Sequence, residues 1–182
     1  MTRTRTVVLV LALGIALAGL LLGDAATVGV PRPVWNEAKW PFPLDQWGIG
    51  KAYRCAAADC GVEISVYLRA KIGFCNCATG VSDDPELDRV GDLEILSDRW
   101  VGLADGREIK VGWMNGRSRP YLVEMRYAAP VTALAIGFND KCDVAVATVV
   151  AERKQLALAE RLALDFLNTD PVLRWAEREL GI

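Results

Sequence analysis

The chain has 182 residues, 21 basic and 23 acidic side chains for a net charge of −2, and 52% hydrophobic residues. So balanced a charge gives no nucleic-acid footprint. Not one histidine is present, which removes Ser-His-Asp and Cys-His catalysis, histidine-ligated zinc or copper and haem attachment through C-x-x-C-H, so neither a metal nor a cofactor is expected.

Residues 1–6, Met-Thr-Arg-Thr-Arg-Thr, carry Arg3 and Arg5 and no acid, and an uncharged apolar run follows from Val7 to Gly23. A positive segment, an apolar segment and small residues at Gly23, Ala25 and Ala26 form an export signal over residues 1–26, cleaved after Ala25 or Ala26. The apolar run is longer than the usual signal core of roughly 7 to 15 residues and reaches the lower limit of a membrane span. An uncleaved inner-membrane tether through residues 7–23 is therefore the alternative. Either way the rest of the chain is expected in the periplasm or outside the cell.

Residues 27–47 contain Pro31, Pro33, Pro41 and Pro43 together with Trp35, Trp40 and Trp47. Four prolines predict an extended arm without regular structure. The indoles offer an aromatic surface for a glycan or a membrane interface, or else pin the arm onto the domain.

The exported domain is expected over residues 48–182. Cys55, Cys60, Cys75 and Cys77 crowd its beginning and Cys142 lies far downstream. Alternation of Val62, Ile64, Val66 and Leu68 against Glu63, Ser65, Tyr67 and Arg69 predicts a half-buried strand. A continuous strand from Val62 to Phe74 would hold Cys60 and Cys75 on the order of 50 Å apart, so a shared four-thiolate site needs the chain to turn back. Oxidised pairs are the default outside the cytoplasm. Spacing favours Cys55 with Cys60 and Cys142 with Cys75 or Cys77. A redox pair at Cys75 and Cys77 and a cysteine-ligated metal are the alternatives.

Ser82 to Val90 starts with acids and has Pro85 at a first helical position, which predicts a helix whose N-terminal dipole is met by Asp83, Asp84 and Glu86. With Asp88 and Asp92 these acids also suggest calcium, although they lack the EF-hand order and its glycine. Strands are predicted over Glu108–Met114, with Ile109, Val111 and Trp113 inward, and over Tyr121–Tyr127, with Tyr121, Val123, Met125 and Tyr127 inward. Asp105-Gly106 and Asn115-Gly116 read as hairpin turns, and Arg117 and Arg119 as a solvated turn or an anion site. Val131–Phe138 and Val144–Val150 are apolar on both faces, as central strands are, about a turn at Asn139-Asp140. Ala151–Leu167 and a segment from Asp170-Pro171 to Gly181 predict two amphipathic helices.

The resulting fold class is α+β: a single domain with a mainly antiparallel sheet and the C-terminal helices on one face. The expected function is an exported, disulfide-stabilised, non-catalytic binding or interaction domain of the bacterial cell envelope. Its partner would be an envelope protein or a glycan. A thiol–disulfide protein using Cys75 and Cys77, or a cysteine-ligated metal protein, is the alternative.

Overall fold

A computed structural model describes residues 33–182. The export segment, the tether at residues 7–23 and the beginning of the Pro/Trp-rich arm lie outside the described residues. Among the described residues eight strands form one antiparallel sheet: β1 (Trp35–Ala38), β2 (Lys51–Cys55), β3 (Ile64–Lys71), β4 (Trp100–Gly102), β5 (Arg107–Val111), β6 (Met114–Val123), β7 (Val131–Asp140) and β8 (Asp143–Ala151). Their order is β1-β2-β3-β8-β7-β6-β4, with β5 also paired to β6. The helices are α1 (Ala57–Cys60), α2 (Asp84–Val90), α3 (Leu156–Leu167) and α4 (Asp170–Leu180).

The doubly apolar segments are the central strands. Leu134, Ile136 and Phe138 of β7, with Ala145, Ala147 and Val149 of β8, meet Ala159, Ala163, Phe166, Trp175 and Ala176 of the C-terminal helices. Ala133, Ala135, Val144 and Val146, on the opposite face, meet Leu87, Val90 and Leu93. Both faces of the sheet are thus covered, one by α3 and α4 and the other by α2 and the turn after it. Burial on both faces excludes polar alternation and accounts for the near-continuous apolar runs.

Several elements differ from the sequence expectation. The arm is not wholly irregular, since Trp35–Ala38 pairs with Ala52–Cys55 as an edge strand. The hairpin after β5 turns at Gly112-Trp113 instead of Asn115-Gly116, because Gly112 takes the left-handed φ of 59° that a two-residue turn requires. Trp113 is consequently half exposed. Gly116 lies within β6, where a Cβ would collide with the Gly137 carbonyl. The β7–β8 turn falls at Lys141-Cys142, with Lys141 at φ 51°, two residues later than expected. Tyr127 is 93% exposed because β6 ends at Val123. Ala151 closes β8 opposite Thr132, and α3 starts only at Leu156.

Asp105-Gly106 is not a hairpin turn. β4 and β5 both pair with β6, at its residues 121–123 and 114–118, so they form one edge strand interrupted between them. Pro120 sits at the interruption. Its carbonyl accepts from Leu103 N (2.8 Å) on that side, so the missing proline N–H faces a gap in which no partner strand needs it.

Candidate functional site

Two disulfides join the cysteines. Cys55 at the end of β2 bonds Cys60 at the end of α1, five residues on. Cys77 bonds Cys142, a separation of 65 residues, and ties the loop after β3 to the β7–β8 turn. Both pairs are among those the spacing favours. Cys75 remains a buried free thiol whose sulfur donates to the Lys141 carbonyl (3.2 Å). Burial, and then the charges of Glu86 and Asp143, push it up to about 11. Among the described residues no cluster of His, Cys, Asp or Glu could hold a metal ion.

The three arm tryptophans do not share a surface. Trp35 stacks on Phe166 of α3 at 4.5 Å between ring centroids. Trp40 is buried and meets Phe42 and Tyr67 edge-on. Trp47 lies against Phe74 at 4.5 Å. One indole therefore packs on the helical face, and the other two close the opposite face over the end of β3.

Beneath Trp40 and Trp47 lies an ionic cluster that strand alternation does not foretell. Arg69 and Lys71 sit two residues apart on β3, hence on one face, and are 2% and 1% exposed. The Arg69 guanidinium grips Asp92 through Nε (2.8 Å) and Nη2 (2.6 Å), while Nη1 donates to Asp45 (2.7 Å) in the arm. Lys71 Nζ lies 2.9 Å from Asp92 and donates to the Gly91 carbonyl at 3.0 Å. Trp40 stands 5.6 Å from the guanidinium and Trp47 5.5 Å from the ammonium. Burial works against the Arg69 charge, but hydrogen bonds to Asp92 and then Asp45 outweigh it and hold the group above its ordinary value. Asp92, one of the acids that suggested calcium, is the buried counter-ion of both cations. The sequence signal that could have exposed the cluster is the pair of bases at i and i+2, downstream of an arm rich in tryptophan.

Arg117 and Arg119 are not in a solvated turn. They lie on β6, where alternation places them on the face covered by α2. Asp84 accepts from Arg117 Nε and from Gly106 N at 3.0 Å. Asp88 accepts from Arg119 (2.9 Å) and from the Tyr121 hydroxyl. Burial alone would raise Asp84, yet the Gly106 N–H and Arg117 bring it below the usual carboxylate range. Tyr121 is raised by burial and then by its bond to Asp88. Asp83 caps α2 by accepting from Glu86 N (2.8 Å). The acidic run is thereby used: Asp83 starts the helix, Asp84 and Asp88 clamp it to the sheet, and Asp92 anchors the buried bases.

Several large apolar side chains stay open at the surface. Leu44 and Ile49 are 72% and 71% exposed on either side of Trp47, and Ile72 is 57% exposed beside Phe74. A cleft of about 610 Å³ near the opposite margin is lined by Thr79, Ser82, Glu108, Lys110, Asn115 and Asn139. Asn139 is already satisfied, accepting from Val81 N and donating to the Lys141 carbonyl. No known family model and no curated protein matches the chain.

Proposed function

We propose that the chain is an exported, disulfide-stabilised, non-catalytic binding or interaction domain of the bacterial cell envelope, with an envelope protein or a glycan as partner. The observation that carries this reading is the pair of disulfides, because such bonds form and persist in oxidising compartments. Arg3, Arg5 and the apolar run from Val7 to Gly23 supply the means of export. Binding is favoured over chemistry because the least exposed bases, Arg69, Lys71, Arg117 and Arg119, are engaged in internal pairs. Leu44, Ile49 and Ile72, exposed in the same chain segments as Trp47 and Phe74, give a partner apolar side chains to cover. The thiol–disulfide alternative has less support. Cys77 is bonded to Cys142, and a Cys75 thiol held at about 11 is ionised in roughly one molecule in ten thousand at neutral pH.

A fusion of residues 1–40 to a reporter that is active only outside the cytoplasm tests export. The fusion should be active, and intact mass should show a start near Ala26 or Thr27 for a cleaved signal, or the full chain in the membrane fraction for a tether. Full-length soluble cytoplasmic protein with five free thiols would overturn the reading. Insulin reduction lost on Cys75→Ser would replace it with thiol–disulfide chemistry.

A further inference from the structure

Among the described residues β5 pairs only with β6, so its outer side is a margin of the sheet. Val111 and Met114 flank a two-residue turn and therefore exchange backbone hydrogen bonds. Ile109 with Gly116 and Arg107 with Ser118 repeat that exchange, which turns the N–H and C=O groups of Glu108 and Lys110 away from β6. Asn168, just beyond α3, donates to the Lys110 carbonyl at 3.4 Å, as an outward-facing carbonyl permits. Toward the other end of the strand the Gly106 N–H donates to Asp84 at 3.0 Å. Between these contacts the Glu108 N–H, the Glu108 carbonyl and the Lys110 N–H have no partner among the described residues. The side chains of Glu108 and Lys110 are exposed and enter no ion pair among the same residues.

The cleft of about 610 Å³ runs beside this stretch. It touches Lys110, Asn115 and Asn139, which share a cross-strand row on the face that carries α2, and it also touches Ile109 and Leu164 on the helical face. A space that reaches both faces of a sheet has to pass round its margin, and the margin here is β5. Thr79 and Ser82 stand on one side and Leu164 on the other. The volume falls within the range of ligand sites, roughly 300 to 1,000 Å³. Its shape, a strand edge between two walls, suits one extended chain.

We propose that the outer side of β5 accepts an extended peptide segment of a partner protein as an added antiparallel strand, and that this segment reads acid–apolar–base from its N- to its C-terminus. Backbone groups supply the attraction. The residue opposite Glu108 donates one hydrogen bond to it and accepts one, and the carbonyl opposite Lys110 accepts from the Lys110 N–H. Side chains set the register, because residues directly opposite one another lie on the same face. Glu108 selects a base, Lys110 an acid, and Ile109 beside Leu164 an apolar residue between them. In the antiparallel direction the acid comes first. Glu108-Ile109-Lys110 has this order itself, but in a second copy β5 lies between its own Ser82 and Leu164, so two copies would bring four walls to one margin. The site gives the proposed interaction role a partner segment and rests on that role. The two fail separately: a failed titration overturns the strand site, and a failed export fusion overturns the location.

The probe is acetyl-Thr-Glu-Val-Lys-Thr-amide, titrated into the oxidised protein and followed by amide NMR shifts and hydrogen exchange. Before it is added, the Glu108 and Lys110 amides should exchange freely while Ile109 between them is protected. The probe should give saturable shifts centred on Glu108, Ile109 and Lys110 and slow exchange at Glu108 several-fold. Methylation of the probe's backbone nitrogen at lysine should abolish binding, because that N–H serves the Glu108 carbonyl. A control with the charges exchanged, acetyl-Thr-Lys-Val-Glu-Thr-amide, should bind about fivefold or more weakly at low salt. The double variant Glu108→Lys with Lys110→Glu, at two exposed positions, should invert that preference. Absence of saturable shifts, shifts centred elsewhere, equal binding of the methylated probe, or a preference that the double variant leaves unchanged would each overturn the proposal. So would a dimer whose Glu108 amide is protected before any peptide is added.

Discussion

Replacing Cys77 and Cys142 together by serine isolates the contribution of a long covalent loop. Cys77 is exposed and Cys142 half-buried, so the exchange of sulfur for oxygen leaves little cavity, and Cys75 has no thiol left with which to pair. Closing a loop restricts the unfolded chain by an entropy that grows with the logarithm of its length. For the separation of 65 residues, the chain-entropy relation gives about 4 kcal/mol at room temperature. For a domain of this size that corresponds to a fall of roughly 10 to 15 °C in melting temperature. Urea unfolding of the wild type and the double variant, fitted with a common slope, measures the difference, and a calorimetric melt checks it. The domain has a large two-sided core and should remain folded without the bond. A loss under about 1 kcal/mol would show that the unfolded chain already keeps these segments together, and the loop argument would fail.

Cys75 makes stability fall with rising alkalinity. Its folded pKa, near 11 against an ordinary 9, favours the neutral thiol in the fold. The associated stability, about 2 to 3 kcal/mol, is complete below pH 9 and is lost as pH climbs to 11. Unfolding of wild type and Cys75→Ala at pH 8 and pH 11 should differ by that amount, and parallel pH profiles would contradict it. Asp92→Ala should cost about 3 to 5 kcal/mol by leaving Arg69 and Lys71 buried with too little countercharge. Adding Arg69→Met and Lys71→Met should restore much of that loss in chemical denaturation, and a nearly neutral Asp92→Ala would show that water already reaches the cluster.

Periodicity in the sequence reveals which residues share a face more reliably than what covers that face. β7 and β8 are legible because residues apolar on both sides leave no alternative to a central position. The C-terminal helices and the capped start of α2 are legible through spacing, Pro85 and Pro171, and the terminal glycine. Arg69 and Lys71 are different. Alternation assigns Arg69 correctly to the face away from Val66 and Leu68 and stops short of Lys71, and a charged residue on a strand reads as solvent-facing until the arm and Asp92 are seen to fold over it. The same limit applies to Arg117 and Arg119, whose partners Asp84 and Asp88 lie about 30 residues away in sequence. Turns shift for a local reason: Asn115-Gly116 is a strong hairpin signal, yet Gly112 reaches positive φ with equal ease, and the register that buries Met114 and Val111 decides between them.

The interrupted margin at Pro120 also bears on how these molecules meet one another. A sheet with such apolar central strands would be a hazard if either side offered a long straight row of unpaired amides, because a neighbouring chain could extend it and polymerisation could follow. Here one side ends in the four residues of β1 and the other in two short pieces with an interruption between them. Among the described residues neither border offers a long straight row, so strand addition at either end of the sheet meets a short edge.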